Sequence, residues 1–303
     1  MASSVLETLS NDFAALAERH GASVVAVHAR RWMPSSGIEW NKGVVVTANH
    51  GIRRDDDIRV ARGDGKTLNA ILAGRDPSTD LAVLKLSEPG TAATEIGDSS
   101  SLQLGHLVLA LGRSRTGNLV ASAGMVGGIG NEWRTWRGGR LDQHIRLDLN
   151  LYPGFSGGPL ISAKGQVVGI NTGGLARGRA VTIPVSTVNR VVKELLEKGH
   201  IARPYLGIAM QPVAIPEAMR GKLKSAVSSG LLVVHVEPGG PGEKAGVLLG
   251  DVLTSIQGKA MEEMDTLMDL LGAAKVGDTC AIDAIRGGEL LQLSVKLGDR
   301  PSK

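Results

Sequence analysis

Short β-rich runs recur from residue 22 to about residue 188, and Gly, Pro, Asn and Asp turns separate them. The runs are 23–27, 43–47, 58–61, 67–73, 81–86, 107–111, 124–127, 144–149, 159–161, 166–171 and 180–183. Strands this short bury their apolar faces only by closing on themselves or packing sheet on sheet. The regular spacing therefore predicts a mainly β chain built as barrels or a sandwich. The 41 glycines and the 3% of aromatic residues suit many tight turns. A length of 303 residues leaves room for about two domains. A helix is expected over 186–198, where Val188, Val191, Val192 and Leu195 form an apolar stripe and Gly199 provides a stop.

Gly154-Phe155-Ser156-Gly157-Gly158-Pro159-Leu160 reads as a serine nucleophile on a glycine-rich bend. A serine hydroxyl attacks well only when a base takes its proton and nearby donors stabilise the oxyanion. The same residues fit the G-x-S-x-G elbow of α/β-hydrolases, but an elbow opens a helix and its acid and histidine come later in the chain. Here Ser156 leads into a strand-like stretch, and the better partners lie upstream. Residues 44–50 form an apolar strand ending on His50, and residues 76–86 form a turn, Asp80 and a second strand. The order His50, Asp80, Ser156 is that of the chymotrypsin type of serine hydrolase. Asp76 competes with Asp80 as the acid, but it precedes Pro77 and fits an Asx-turn.

At these residues the chain resembles the HtrA (Deg) branch of trypsin-like serine proteases. The motifs are Thr47-Ala48-Asn49-His50, residues 76–86 and residues 154–160. The resemblance continues through Tyr205-Leu206-Gly207-Ile208 and residues 241–253, which are similar to the PDZ domain that follows an HtrA protease domain, and it covers roughly residues 20–298. It implies a chymotrypsin-like double six-stranded β-barrel followed by an α+β PDZ domain. The expected divisions are an N-terminal helix or extension over 1–20, a protease domain over 21–199, a linker over 200–204 and a PDZ domain over 205–299.

The resemblance also implies roles. Ser156 attacks the scissile carbonyl, His50 is the base, and Asp80 orients the imidazole. The turn Gly154-Phe155-Ser156 forms the oxyanion hole through the amides of Gly154 and Ser156. The primary pocket is expected from Asn150 at its floor and Asn171, Thr172 and Gly173 at its wall. With no carboxylate there, small aliphatic side chains are favoured. Tyr205, Leu206, Gly207 and Ile208 are expected to capture a C-terminal carboxylate, with the peptide adding as a strand beside a helix over 262–274. In that helix Met264, Leu267, Met268 and Leu271 form the apolar stripe, with Leu267 and Leu271 in the core. Four positions depart from the family: Phe155 and Tyr152 replace asparagines, and Gly51-Ile52 replaces two valines.

Composition limits the partners. The net charge of +4 is mild for this length, and Arg53 and Arg54 are read as answered by Asp55, Asp56 and Asp57, so nucleic acid is not an expected partner. No phosphate loop, metal or cofactor signature is present, and the reading is of an ATP-independent enzyme. The single cysteine, Cys280, is expected in the core. No apolar run approaches the length needed to cross a membrane. Residues 1–20 carry Glu7, Asp12 and Glu18 and no apolar signal core, so the chain as written is expected in the cytoplasm, or in the cell envelope if a targeting segment was removed. They read as an amphipathic helix with Leu9, Phe13, Leu16 and Ala17 on one face. The resemblance implies a homotrimer through N-terminal aromatic contacts, for which Phe13, Trp32 and Trp40 are available.

Two functions follow. One is a serine endopeptidase that degrades unfolded or damaged proteins, with the PDZ domain recognising C-terminal peptides. The alternative is a catalytically inactive peptide-binding or chaperone-like protein that retains the fold; the Phe155 departure speaks for it and the intact His50, Asp80 and Ser156 speak against it.

Overall fold

The computed structural model describes residues 4–88, 94–175, 180–221 and 227–300. The chain divides into two compact units between Ile201 and Ala202. The first opens with helix α1 (Val5–Gly21), capped by the Ser4 hydroxyl, which accepts from the Glu7 N–H at 3.1 Å. Phe13, Leu16 and Ala17 of α1 pack on Val24, Leu109, Leu111 and Ile161, whereas Leu9 stays 38% exposed.

Strands β1 (Val24–His28), β2 (Ser35–Asn41), β3 (Val44–Ala48), β4 (Ile58–Ala61), β5 (Thr67–Asp76) and β6 (Leu81–Leu86) close into a barrel in the order β1-β2-β3-β6-β5-β4. Strands β7 (Leu107–Arg113) and β8 (Leu119–Gly130) follow, then a short hairpin of β9 (Trp133–Arg134) and β10 (Arg140–Leu141). Strands β11 (His144–Asp148), β12 (Pro159–Ser162), β13 (Val167–Thr172) and β14 (Val181–Pro184) complete a second closed barrel, β11-β14-β13-β12-β7-β8. Full closure leaves neither sheet with an exposed edge.

Helix α2 (Val185–Lys198) ends on Gly199 at φ +78°, a left-handed cap that glycine takes without steric cost. Its buried Val188, Val191, Val192 and Leu195 join Ile38, Trp40, Val46, Leu81 and Val83 of the first barrel and Val167, Ile170 and Ile183 of the second in one core. Each such side chain contributes roughly 1.5–3 kcal/mol on full burial, so this shared core fixes the two barrels against each other. Trp40 belongs to it, 3% exposed, with its Nε1–H on Asn189 Oδ1 at 3.0 Å. Trp40 is therefore withdrawn from the aromatic set expected at an interface, whereas Trp32 is 74% exposed.

Strand β2 was not expected from the sequence pattern. Its residues, Ser-Ser-Gly-Ile-Glu-Trp-Asn, show no apolar alternation, yet all but the last are buried. It is a strand because β1 and β3 pair with it on both sides, and Ser36 and Trp40 find hydrogen-bond partners inside, although the buried Ser35 hydroxyl has none among the described residues.

The second unit holds β15 (Pro204–Tyr205), β16 (Ile208–Ala214), α3 (Glu217–Arg220), β17 (Ser229–Val236), α4 (Pro241–Lys244), β18 (Val252–Ile256), β19 (Lys259–Ala260), α5 (Met264–Ala273), β20 (Thr279–Arg286), β21 (Glu289–Lys296) and β22 (Gly298–Asp299). Its sheet runs β16-β17-β18-β20-β21, with β19 on β18, and β15 pairs with β22. Leu231, Val233, Leu253, Ile256, Leu267, Ile282 and Val295 fill its core together with Cys280, whose thiol burial pushes to a higher pKa. Among the described residues no helix is long and apolar enough to cross a membrane.

Candidate active site

The turn at the end of β3, Asn49–Gly51, presents His50, and the residue before β6 presents Asp80. Asp80 is 4% exposed and sits at φ +58°, a left-handed conformation that aspartate tolerates better than most residues. Its backbone carbonyl accepts the Asn49 N–H at 3.0 Å and its Oδ1 accepts the His50 N–H at 2.9 Å. Oδ2 lies 2.7 Å from His50 Nδ1 and also accepts from the Thr172 hydroxyl. An ionised carboxylate only accepts, so a neutral imidazole in this contact carries its proton on Nδ1 and leaves the Nε2 lone pair free. Asp76 does something else: its Oδ1 accepts from the Ser78 N–H at 3.1 Å and the Ser78 hydroxyl at 2.7 Å, an Asx-turn that aims the following residues. The β9–β10 hairpin clasps this turn through the Thr135 hydroxyl, which donates to Ser78 O at 2.7 Å.

Ser156 stands on the loop before β12. The Phe155 N–H donates to Tyr152 O at 3.0 Å across Pro153 and Gly154, and Gly154 lies at φ +101°. That is a type II turn, with proline at its second position and glycine at its third. Gly157 N–H donates to Asn171 O at 2.8 Å and Asn171 N–H donates to Gly158 O at 2.9 Å, which stitches the loop to β13. Gly157 has no room for a side chain, since a Cβ would stand 2.1 Å from Ser36 O. Among the described residues, the amides of Gly154 and Ser156 meet no protein acceptor. Two unpartnered donors beside a serine hydroxyl are what a developing oxyanion requires.

Phe155 is 2% exposed and packs with Val108, Ala110, Ile145 and Leu160, its ring 6.0 Å from that of Tyr152. The departure at this position thus serves as an apolar anchor under the turn. Ser156 Oγ accepts from the Gly173 N–H at 3.2 Å and is not hydrogen-bonded to His50. In catalytic sites such bonds tighten on substrate binding.

The residues expected around the pocket differ in exposure. Asn150 is exposed. The Asn171 side chain is fully buried, its Nδ2 donating to Pro159 O and its Oδ1 accepting from Thr182, both at 2.9 Å. Thr172 is fully buried against Asp80, and exposed Gly173 faces Ser156. Ser36, which the sequence did not single out, reaches the Gly154–Ser156 turn from the first barrel. Its N–H donates to Gly154 O at 2.9 Å and Ser156 O at 3.1 Å, and its hydroxyl donates to Gly154 O at 2.6 Å. No local signal marks it, because it lies in the strand that lacks a pattern.

In the second unit Gly207 turns at φ +69° between Leu206 and β16. Gly242 N–H donates to Leu206 O at 2.7 Å and Glu237 N–H donates to Gly207 O at 2.8 Å. Leu206 is 3% exposed, Tyr205 and Ile208 are half-buried, and β16 has no strand partner on its outer edge among the described residues. In α5 Leu267 is 3% exposed and Met268 is 45% exposed.

Residues 35–170 match the trypsin-like peptidase domain and residues 204–297 the PDZ domain. The serine protease Do-like HtrA of Lactobacillus helveticus is 38% identical over 282 residues, covering 88% of this chain and 67% of that protein. This chain belongs to the HtrA family of serine proteases. The chloroplastic protease Do-like 1 of Arabidopsis thaliana is another HtrA-like relative, 33% identical over 288 residues that cover 88% of this chain and 64% of that protein. A solved HtrA-type protease, AlgW with a decapeptide, has a TM-score of 0.71 at 25% identity and covers 96% of this chain and 99% of that one. This HtrA chain spans between 51% and 67% of the length of such curated relatives. Its peptidase domain is that of a serine endopeptidase, and its mainly β architecture of two six-stranded barrels and a PDZ domain is the one the resemblance implies.

Proposed function

We propose that this protein is an ATP-independent endopeptidase that degrades unfolded or damaged polypeptides, with Ser156 as nucleophile, His50 as base and Asp80 as its orienting acid. The observation that carries this reading is the pair of unpartnered amides at Gly154 and Ser156 beside a histidine whose Nδ1 is fixed 2.7 Å from Asp80. Ser156 Oγ leaves the Gly173 N–H, gives its proton to His50 Nε2 and bonds the scissile carbon. The carbonyl oxygen moves between the amides of Gly154 and Ser156. The imidazolium, stabilised by Asp80, then gives the proton to the leaving amine, and water repeats the sequence on the acyl-enzyme.

The PDZ domain takes C-terminal peptides. The amides that follow Tyr205 receive the carboxylate, and the peptide pairs with the open edge of β16 beside α5. The relative AlgW, solved with a decapeptide, supports peptide as the ligand class. Cleavage of unfolded casein by the wild type beside Ser156→Ala, with and without a hydrophobic C-terminal peptide, tests both parts. Hydrolysis that disappears in Ser156→Ala and rises with peptide is expected. Hydrolysis that persists in the variant overturns the nucleophile, and none under any condition favours the inactive peptide-binding alternative.

A further inference from the structure

The loop between β1 and β2 carries Arg30, Arg31 and Trp32, and the turn after His50 carries Arg53 and Arg54. The two segments are joined. Arg53 N–H donates to Ala29 O at 3.0 Å, and Arg54 Nη2 donates to His28 O at 3.3 Å. The expectation that Arg53 and Arg54 are both answered by the following aspartates is corrected here. Arg54 lies 3.5 Å from Asp57, which also takes Arg59 at 3.2 Å, and Asp55 takes Arg75 at 3.2 Å. Arg53 has no acidic partner among the described residues, and Asp56 is the acid of this turn left without a cation among them. Arg31 lies 5.3 Å from the centre of the exposed Trp32 ring. Arg30 donates to Met33 O, and to Pro34 O at 3.2 Å, so only carbonyls meet its charge. Burial, then the charge of Arg53, lower the pKa of Arg30, and burial, then Arg54 and Arg59, lower that of His28.

This surface borders the nucleophile. Pro34 O lies 3.8 Å from the place a Cβ on Gly154 would occupy, and Arg53 follows His50 by three residues. Gly173 and Gly174 lie against Ser156 and the His50–Asp80 pair. His50 would protonate the leaving amine, so the polypeptide beyond the scissile bond departs past the imidazole, and the turn carrying Arg53 follows His50 directly in the chain.

We propose that Arg30, Arg31, Arg53 and Trp32 form a leaving-group-side docking surface that selects polypeptides with aspartate or glutamate in the first few positions after the scissile bond. The inference rests on the protease reading above. Guanidinium forks suit carboxylates. One exposed pair gives a factor of roughly two to five, and three together give about tenfold at low salt.

The test uses two quenched peptides that are identical up to the scissile bond and carry either Glu or Gln at the second and third positions after it. The expected kcat/KM ratio of Glu to Gln peptide is about tenfold at ~20 mM salt and under about twofold at ~0.5 M, because salt screens exposed charges. In the Arg31→Gln/Arg53→Gln variant the ratio falls toward one, and in Arg31→Lys/Arg53→Lys, which keeps the charge, most of it survives. Binding of both peptides to Ser156→Ala is followed by fluorescence anisotropy and reads the surface without chemistry. The same preference in binding with no cleavage by the wild type would remove the protease reading and keep the surface. A ratio of one or less in both readouts, or one that salt does not change, overturns the surface.

Discussion

The Ser36 hydroxyl donates to Gly154 O at 2.6 Å and accepts from the Arg113 N–H at 2.8 Å, so one side chain of the first barrel holds the Gly154–Ser156 turn of the second. The Arg113 side chain is itself built in. It is 6% exposed, and its guanidinium donates to Gly21 O at 2.6 Å, Val24 O at 2.9 Å and Gly117 O at 3.2 Å. In Ser36→Ala the Gly154 carbonyl keeps the Ser36 N–H and loses the hydroxyl. A buried hydrogen bond lost in this way costs about 1–3 kcal/mol. Expressed at the oxyanion hole, that lowers kcat about tenfold or more and moves KM by less than about twofold. Steady-state kinetics beside thermal unfolding decide it: a lowered Tm with unchanged kcat assigns Ser36 to stability alone.

Gly174 lies against Asp80 and His50. A Cβ there would stand 2.5 Å from Asp80 Oδ2 and 2.7 Å from His50 Nδ1. Gly174→Ala is expected to part the two and to lower kcat/KM by about 10- to 100-fold, or ~1.4–2.7 kcal/mol. Because residue 174 is exposed, the Tm should stay within a few degrees. Retained activity in this variant would falsify the need for the His50–Asp80 contact.

Thr172 was read from the sequence as a pocket wall, and the structure turns its hydroxyl onto Asp80 Oδ2. Thr172→Val keeps the shape and removes the donor. A fall of about tenfold in kcat is expected, with most of it restored in Thr172→Ser, from one charge-assisted bond of ~1.5–3 kcal/mol. If Thr172→Val and wild type give the same kcat, the hydroxyl has no part in holding the acid.

Much of this architecture was legible in the sequence because its strands carry their own signals. The apolar runs of β1, β3 and β6 and the stripe of α2 each carry a local signal. His50 was legible because it ends such a run. Strand β2 was not, since Ser35, Ser36 and Glu39 are buried by partners far away in sequence. Ser36 and the role of Thr172 were lost for the same reason: each is defined by a carbonyl or carboxylate that only folding brings close. Arg53 shows the reverse error, in which neighbours in sequence were taken as partners in space.

In the second unit Gly207→Ala places a Cβ 2.8 Å from Pro241 Cδ at a residue with φ +69°. The loop before β16 should distort, and affinity for a C-terminal peptide should drop at least about tenfold. Titration by fluorescence anisotropy checks this, with an amidated peptide as control. Equal binding of free-acid and amidated peptides would exclude carboxylate capture.

Asp251, 1% exposed, accepts from Arg286 Nε and Nη2, both at 2.7 Å, and from the Leu248 N–H at 2.8 Å. Burial alone would raise its pKa; the Arg286 and Leu248 bonds outweigh that and hold it below the usual carboxylate value. A carboxylate depressed in the fold contributes stability above its unfolded pKa and loses it as pH falls through the lowered value. Unfolding of the PDZ unit should therefore be insensitive to this pair from pH 7 to about pH 5 and ease below about pH 4. Asp251→Asn should remove that part of the acid dependence and cost about 1–3 kcal/mol at pH 7.

The left-handed backbone at Asp80 limits how this site can change. Asparagine and aspartate are the side chains that enter that conformation most readily. The substitution the backbone accepts best is thus the one that replaces the acceptor with an amide and leaves the imidazole free to take the wrong tautomer. A mutational path away from activity at this position therefore runs through a folded protein, whereas a change that keeps the charge, to glutamate, meets the backbone first.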